Sequence, residues 1–258
     1  MTTPTTAAYR LDGMRALVTG ASRGIGAAVA DALAGAGANL VLTARGQRDL
    51  EVTAKGLSDR HRREITTLVA DLSQPVSTEE LAERALSVYG GLDVLVNNAG
   101  ISIPESVVDT TAAAWDATMA VNLRAPALLG SRIGAAMAAS GGGSIVNIAS
   151  AAALRALPNH HAYGASKAGL LMATKVLALE LGPQGVRANT LCPTVVLTEM
   201  GHRVWGEQEK AAPMLARIPS GHFGVPDDVA HAVVFLASPG AGMVNGVDLP
   251  VDGGYGIS

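Results

Sequence analysis

Residues 15–26 read Arg-Ala-Leu-Val-Thr-Gly-Ala-Ser-Arg-Gly-Ile-Gly, and residues 24–36 form an Ala-rich stretch of helical composition. The first five residues are typical of a buried strand, so Gly20, Gly24 and Gly26 lie between a strand and a helix. Glycine permits a tight turn and a close approach of the backbone, and a helix N-terminus offers unpaired N–H groups to anionic oxygens. The spacing alone would also fit an ordinary glycine-rich turn. Its position at the first strand-to-helix junction favours a pyrophosphate-binding site.

The alternation of strand and helix continues along the chain. Short β-branched or Leu-rich runs predict strands at Arg15 to Thr19, Asn39 to Thr43, Ile65 to Ala70, Asp93 to Val96, Ser144 to Ile148, Val186 to Leu191 and Val247 to Leu249. Longer stretches predict helices near residues 24–36, 48–60, 77–89, 111–139, 161–182 and 226–237. This pattern is typical of a parallel sheet that is covered on both faces. We therefore expect an α/β fold, a doubly wound parallel sheet of about seven strands with helices on both faces, in a single domain over residues 1–258.

The segment from Thr198 to Phe223 does not follow this alternation. Its polarity is mixed, it contains three glycines and two prolines, and it is too long for an ordinary connection. We expect residues 198–223 to form a lid over a substrate.

The composition excludes several classes of protein. Of the 258 residues 48% are hydrophobic, which is ample for a buried core, and the formal net charge is −3. No run of Lys or Arg is long enough to follow a phosphate backbone, so we expect no nucleic-acid partner. No apolar run reaches the roughly 18 residues of a membrane span, so we expect no membrane association. The histidines form no His-Glu-x-x-His motif, so a catalytic metal is not expected.

The cysteine content and the N-terminus indicate a cytoplasmic protein. Cys192 is the one cysteine, and its apolar neighbours predict a reduced thiol in the core. Residues 1–8 lack the basic start and the apolar core of a secretory signal, and we expect them to form a frayed tail.

The end of the second strand indicates which nucleotide binds. In a site for NAD an acidic residue there binds the ribose 2′-hydroxyl, whereas this strand is followed by Arg45. Arg45 and Arg23 could pair with a 2′-phosphate, which favours NADPH and NADP+ over NADH, although both could also be solvated surface charges. Asp71 and Leu72 are expected to close the third strand, where Asp71 could accept from the adenine amine or serve as an ordinary turn residue.

The chemistry is indicated by Tyr163 and Lys167, which are separated by one helical turn and project from one helix face. A nearby ammonium favours phenolate, and would bring the pKa of a phenol from about 10 toward the working range of an acid-base group. Ser150 ends the fifth strand, where its hydroxyl could hold a substrate oxygen or act as a helix cap.

Together these residues resemble the short-chain dehydrogenase/reductase family over nearly the whole chain. The pieces, in family order, are Thr19-Gly20-x-x-x-Gly24-x-Gly26, Asp71, Asn97-Asn98-Ala99-Gly100, Asn122, Ser150, Tyr163-x-x-x-Lys167, Pro193 and Thr198. The resemblance implies a Rossmann-like fold and a homotetramer, with Tyr163 as the general acid-base residue and Ser150 orienting the carbonyl. It also implies that Lys167 binds the nicotinamide ribose and lowers the pKa of the phenol, while Asn122 holds a water of the proton relay. The expected cofactor contacts are Gly20, Ser22, Arg23, Gly24, Ile25, Gly26, Arg45, Asp71, Leu72, Asn98, Ala99, Gly100, Tyr163, Lys167, Pro193, Val196 and Thr198.

The C-terminal half is similar to the dicarbonyl/L-xylulose reductase branch of the family. The similar pieces are Asn159-His160, residues 179–183, residues 193–196, Trp205 and residues 217–219. Ala151 departs from the polar glutamine that is usual in that branch, and its neighbours Ala152, Ala153 and Leu157 are apolar. We expect a substrate pocket formed by Ala151, Leu157, His160 and Trp205, although the neighbouring histidines could be bystanders and Trp205 could serve packing alone.

An apolar wall favours a hydrophobic ketone or a diketone over a polyol. The sequence thus predicts an NADPH-dependent carbonyl reductase or secondary-alcohol dehydrogenase. Two alternatives stay open: an enzyme dedicated to one sugar or biosynthetic metabolite, and a nucleotide-sensing protein without turnover.

Overall fold

The computed structural model describes residues 5–258, except for the side chains of Thr5, Thr6, Met200, Arg203, Val204, Gln208 and Lys210. Seven strands form one parallel sheet in the order β3-β2-β1-β4-β5-β6-β7. Their bounds are β1 Arg15–Thr19, β2 Asn39–Ala44, β3 Ile65–Val69, β4 Val94–Asn97, β5 Gly143–Ile148, β6 Val186–Pro193 and β7 Asp248–Val251. The predicted doubly wound sheet is confirmed, with shifts of one or two residues at some strand ends.

The predicted helices are also present. Their bounds are α1 Gly24–Ala36, α2 Gln47–His61, α3 Pro75–Val88, α4 Ala112–Met119, α5 Ala125–Ala139, α6 His161–Leu181 and α9 Pro226–Ala237. The stretch predicted as one helix over residues 111–139 consists of α4, a π-helical segment Ala120–Arg124 and α5. A π-helical turn accommodates one extra residue, which shifts the directions of the side chains that follow.

The helices cover the sheet on both faces because side chains alternate along each strand. One core combines residues of α1, α2 and α9 with Val18, Leu40 and Val96. The other combines residues of α3, α5 and α6 with Leu17 and Leu95. Leu17 pairs in register with Leu95 of β4, so adjacent strands present their apolar side chains to the same layer.

The segment predicted as a lid contains two short helices, α7 Glu199–Trp205 and α8 Gln208–Leu215. Of the predicted frayed tail, residues 1–4 lie outside the described residues. The prediction is wrong for residues 5–8, because Thr5–Tyr9 forms a 3-10 helix and the Tyr9 ring packs against Phe235 of α9, with 6.2 Å between the centroids.

Cys192 is buried and free, as predicted. Among the described residues of 5–258, no helix is long and apolar enough to cross a bilayer. In the same part of the chain, no three His, Cys, Asp or Glu side chains are grouped so that they could hold a metal ion.

Candidate active site

The glycine turn lies at the carboxyl edge of the sheet, where the strand order reverses between β1 and β4. Gly20 has φ +67°, and a Cβ there would lie 2.9 Å from Cα of Ala99. A Cβ on Gly26 would overlap the carbonyl oxygen of Gly20. Side chains are therefore excluded at both positions, because the turn and the segment after β4 pack backbone to backbone.

The segment after β4 is fixed to this turn by hydrogen bonds. Nδ2 of Asn98 donates to the carbonyl oxygens of Thr19 and Gly20 at 2.9 and 3.3 Å. Oγ1 of Thr19 accepts from the backbone N–H groups of Asn98 and Ala99, each at 3.0 Å. Asn98 and Ala99, both expected cofactor contacts, thus lie directly against the glycine turn.

The turn fits the pyrophosphate of a dinucleotide. Helix α1 begins at Gly24 and its N-cap residue, Arg23, provides no side-chain hydrogen bond, so first-turn N–H groups are open to an anion. Thr198 lies across the turn, since a Cβ on Gly24 would be 3.3 Å from its Cγ2. Pro193 is the last residue of β6. Val196, which lies between β6 and Thr198 in the sequence, forms an isolated β-bridge with Gly224. These residues would hold the phosphates and the nicotinamide end of the cofactor.

The nucleotide end of the site is exposed and basic. Arg23 and Arg45 are both exposed. Arg45 is near enough to Asp71 to help lower the pKa of that carboxyl, although the main cause is a hydrogen bond from the backbone N–H of Ser73 at 3.0 Å. Asp71 therefore has the geometry of a turn residue, one of the two alternatives that the sequence left open. It lies two residues beyond the end of β3 and does not close that strand. Leu72 is buried.

Helix α6 brings Tyr163 and Lys167 to one place, as their spacing predicted. The Nζ atom of Lys167 lies 5.9 Å from the centroid of the Tyr163 ring. It donates to the carbonyl oxygen of Ile148, at the end of β5, at 2.7 Å. Lys167 is 4% exposed, and burial lowers its pKa to about 8.

The effect of Lys167 on the pKa of Tyr163 stays a prediction, whereas the pKa of this phenol is raised in the structure. Burial raises the pKa of the phenol, and a hydrogen bond with the Ser150 side chain only partly opposes that rise. The reason for the rise is that removal from water disfavours the charged phenolate. At neutral pH Tyr163 is therefore a neutral phenol, the form that can donate a proton.

Ser150 lies where β5 leads into a short 3-10 turn, and its hydroxyl accepts from the backbone N–H of Ala152 at 3.1 Å. Ser150 is therefore both the N-cap of this turn and a hydrogen-bond partner of Tyr163. Cys192 of β6 is near enough to interact with the Ser150 backbone and with Lys167, but burial raises the pKa of its thiol to about 11. The thiol is protonated at neutral pH and is not a nucleophile.

Asn122 lies in the π-helical segment and is fully buried. Its Oδ1 accepts from the backbone N–H of Ile101 at 2.8 Å, and its Nδ2 donates to the carbonyl oxygen of the same residue at 2.8 Å. A Cβ on Gly100 would lie 3.4 Å from Oδ1 of Asn122 and 3.5 Å from Nζ of Lys167. Asn122, Gly100 and Lys167 are therefore in one cluster.

The expected pocket residues belong mostly to one apolar cluster. Ala151, Leu157 and Trp205 pack in it together with Ile218 and Phe223, and the centroids of the Trp205 and Phe223 rings are 5.8 Å apart. Trp205 therefore takes part in packing, and its contact with a substrate stays a prediction.

The two neighbouring histidines differ in their surroundings. The His160 ring is edge-on to the Tyr163 ring, with 5.7 Å between the centroids, and its Nδ1 donates to the carbonyl oxygen of Pro158 at 2.7 Å. In the neutral ring with this tautomer, Nε2 of His160 is an acceptor. His161 packs on Trp115 instead, as expected for a bystander.

The contacts of three residues in the site were not predicted. Thr19 and Ile101 bind other site residues through hydrogen bonds that involve the backbone, which leaves no trace in a side-chain pattern. Ser166 lies between Tyr163 and Lys167 in the sequence, and its contact with Asn122 depends on the packing of α6 against the π-helical segment.

Comparison with known proteins identifies the family. A family model described as enoyl-(acyl carrier protein) reductase matches residues 20–256. D-threitol dehydrogenase of Mycolicibacterium smegmatis is 45% identical over 253 residues, which are 96% of this chain and 95% of that protein. L-xylulose reductase of Mesocricetus auratus is 42% identical over 246 residues, which are 95% of this chain and 97% of that protein.

A solved structure is similar over the same length. It is a gluconate 5-dehydrogenase from Burkholderia cenocepacia in complex with NADP and tartrate, with a TM-score of 0.94 and 32% identity, covering 99% of this chain and 100% of that chain. The resemblance drawn from the motifs is confirmed. The chain is an oxidoreductase that acts on CH–OH or C=O groups, and it belongs to the short-chain dehydrogenase/reductase family.

Proposed function

We propose that this chain is an NADP(H)-dependent carbonyl reductase and secondary-alcohol dehydrogenase in which Tyr163 is the acid-base group. The observation that carries the proposal is the convergence of Ser150, Tyr163 and Lys167 at the end of β5, beside the segment that packs on the glycine turn. When bound, the nicotinamide supplies a hydride to a carbonyl carbon or accepts one from an alcohol.

The protein supplies the proton and the orientation. The neutral phenol of Tyr163 donates its proton to the carbonyl oxygen in reduction, and takes it back in oxidation. The Ser150 hydroxyl, already paired with the phenol, holds the same oxygen. The Lys167 ammonium, anchored to Ile148, lies where it would bind the nicotinamide ribose, and Asn122 would hold the water that returns a proton to the site.

The preference for NADP(H) is supported by Arg45 and Arg23. Both are exposed at the nucleotide end of the site, where the guanidinium groups could pair with a 2′-phosphate. The related gluconate 5-dehydrogenase from Burkholderia cenocepacia was crystallised with NADP.

The substrate side of the site supports a ketone, a diketone or a secondary alcohol with an apolar part. Ala151, Leu157 and Trp205 form an apolar wall together with Phe223 of the lid. Apolar substrate surface that is buried against such a wall contributes about 25 cal/mol per Å² to binding.

A second candidate is an enzyme dedicated to a polyol or a ketose. It is favoured by the two curated relatives, whose names state activity toward D-threitol and L-xylulose. His160 supports it too, because its free Nε2 could accept a hydrogen bond from a substrate hydroxyl.

A panel of ketones, diketones, ketoses and alcohols, assayed with both cofactors, separates the candidates. The proposal predicts a higher kcat/KM with NADPH than with NADH, and a higher kcat/KM for apolar ketones and diketones than for ketoses. One steep preference for a single sugar would select the second candidate. No turnover of any compound would leave a nucleotide-sensing protein.

We also propose a homotetramer. Met172, Val176 and Leu179 of α6 are 62%, 44% and 77% exposed. They are three and four residues apart, so they form an apolar stripe on one face of the helix that a second copy could cover. Sedimentation analysis of wild type and of Leu179→Glu tests this, with four subunits expected for wild type and fewer for the variant.

The single domain, the lid at residues 198–223 and the cytoplasmic location stay predictions.

A further inference from the structure

Ser166 is a fully buried polar residue of α6, one residue before Lys167. Its hydroxyl donates to the carbonyl oxygen of Tyr163 at 2.7 Å. The same hydroxyl oxygen accepts from Nδ2 of Asn122 at 3.2 Å. A serine hydroxyl has one proton, and here that proton is donated within α6. A lone pair of the same oxygen accepts the hydrogen bond from the π-helical segment.

The contact completes the hydrogen bonds of the Asn122 amide. Both protons of Nδ2 are used, one on the carbonyl oxygen of Ile101 and one on Ser166, while Oδ1 accepts from the Ile101 N–H. Because Asn122 is fully buried, an amide proton without a partner would be costly. The Ser166 oxygen thus fixes how the amide is turned and ties it to the helix that carries Tyr163.

The tie extends to the segment that faces Lys167. Asn122 clamps Ile101 through both backbone groups, and Gly100, which precedes Ile101, lies against Nζ of Lys167. A continuous chain of hydrogen bonds therefore runs from the Tyr163 backbone through Ser166 and Asn122 to the segment after β4. It sets the distance between two elements that both border the reacting groups.

We propose that Ser166 is a positioning residue that acts through Asn122. It fixes the position of Asn122 and of the segment after β4 relative to Tyr163 and Lys167. It does not touch the substrate. The inference rests on the proposed function, in which Tyr163 transfers the proton and Asn122 supports the relay.

Thr174 provides a matched control on the same helix. Its Oγ1 donates to the carbonyl oxygen of Leu170 in α6 at 2.7 Å. The same oxygen accepts from the side-chain amide of Asn147 at 2.7 Å. Thr174 is 1% exposed and lies two turns beyond Lys167. It therefore has the same kind of bonds as Ser166 but ties α6 to Asn147 of β5 and not to Asn122.

The first test compares Ser166→Ala with Thr174→Val. We expect both variants to have a lower Tm, because each loses a buried hydroxyl that satisfies an asparagine amide. We expect only Ser166→Ala to lower kcat, by about tenfold with KM changed less than about twofold, and to raise the solvent deuterium isotope effect on kcat. Equal kcat and isotope effects in the two variants would reduce Ser166 to a structural role and overturn the inference.

A double-mutant cycle tests whether Ser166 acts through Asn122. In an Asn122→Ala background, adding Ser166→Ala should change kcat by less than about twofold, because the group through which it acts is already gone. A full tenfold loss in that background would contradict the inference. If Asn122→Ala does not fold, the comparison with Thr174→Val decides alone.

The outcomes separate this inference from the proposed function. Wild-type turnover that is lost in Tyr163→Phe, together with a Ser166→Ala variant that matches Thr174→Val, refutes only the role of Ser166. A wild-type protein without turnover on the substrate panel refutes the proposed function itself.

Discussion

The Nζ atom of Lys167 donates its hydrogen bond to the carbonyl oxygen of Ile148 at 2.7 Å, and not to the neighbouring phenol. The ammonium is thereby fixed to the end of β5, at the edge of the sheet where the cofactor would lie. Its burial has a consequence for stability, because a charged amine that leaves water is disfavoured.

The pH dependence of stability should reveal this buried amine. The pKa of Lys167 is about 8 in the fold, against 10.5 when unperturbed. Between these values the unfolded chain binds more protons than the folded chain, so stability due to this group increases as the pH rises. We expect the free energy of unfolding of wild type, relative to Lys167→Met, to increase by about 3 kcal/mol between pH 8 and pH 10.5. Urea unfolding of both proteins across this range measures the difference, and a flat or falling difference contradicts the buried charge.

Cofactor choice should depend on Arg45. Arg45→Ala is expected to lower kcat/KM for NADPH by about ten- to a hundredfold, because a charge-assisted bond to the 2′-phosphate is lost. The value for NADH should stay within about twofold. Arg132→Ala removes an exposed arginine of α5 and serves as the control. Equal losses with both cofactors would show that Arg45 does not recognise the phosphate.

The glycine turn can be tested with Gly26→Ala, and Gly56→Ala in α2 serves as the control. A methyl group on Gly26 would overlap the Gly20 carbonyl oxygen, so Gly26→Ala should lower the free energy of unfolding by about 1–3 kcal/mol and weaken NADPH binding. A methyl group on Gly56 of α2 would have no atom of another element within 4 Å, so Gly56→Ala should raise stability by about 0.5–1 kcal/mol. Chemical denaturation and fluorescence titration with NADPH measure both effects. Normal NADPH affinity in Gly26→Ala would argue against a tight phosphate turn.

The fold was largely predictable because its strands are buried on both faces and so form continuous apolar runs. The first strand, Arg15–Thr19, has the predicted bounds. The helices of residues 199–205 and 208–215 were not predicted, because glycines and prolines interrupt their pattern. The π-helical segment was not predicted either, since it differs from an α-helix only in its backbone bonds.

The site was predictable where spacing determines geometry, as for Tyr163 and Lys167 on one helix face. The raised pKa of Tyr163 was not, because it depends on burial by elements distant in the sequence. The contact of Ser166 with Asn122 joins residues 44 positions apart, and no local pattern encodes it.

The apolar wall should determine the affinity for substrate. Trp205→Leu is expected to raise KM for an apolar ketone by about five- to tenfold, because an aromatic contact is lost, with little change in KM for NADPH. Phe235→Leu serves as the control, since Phe235 of α9 packs on Tyr9 and is not part of the wall. Steady-state kinetics with one ketone measures both variants. Unchanged KM in Trp205→Leu would place the substrate elsewhere.

The assignment of Tyr163 as the proton donor is tested most directly by NADPH oxidation with a ketone in wild type and in Tyr163→Phe. Phenylalanine keeps the ring and removes only the acidic hydroxyl. The expected result is a loss in kcat/KM of roughly 10²- to 10⁴-fold, with NADPH affinity retained. Turnover within a few-fold of wild type in Tyr163→Phe would contradict the account.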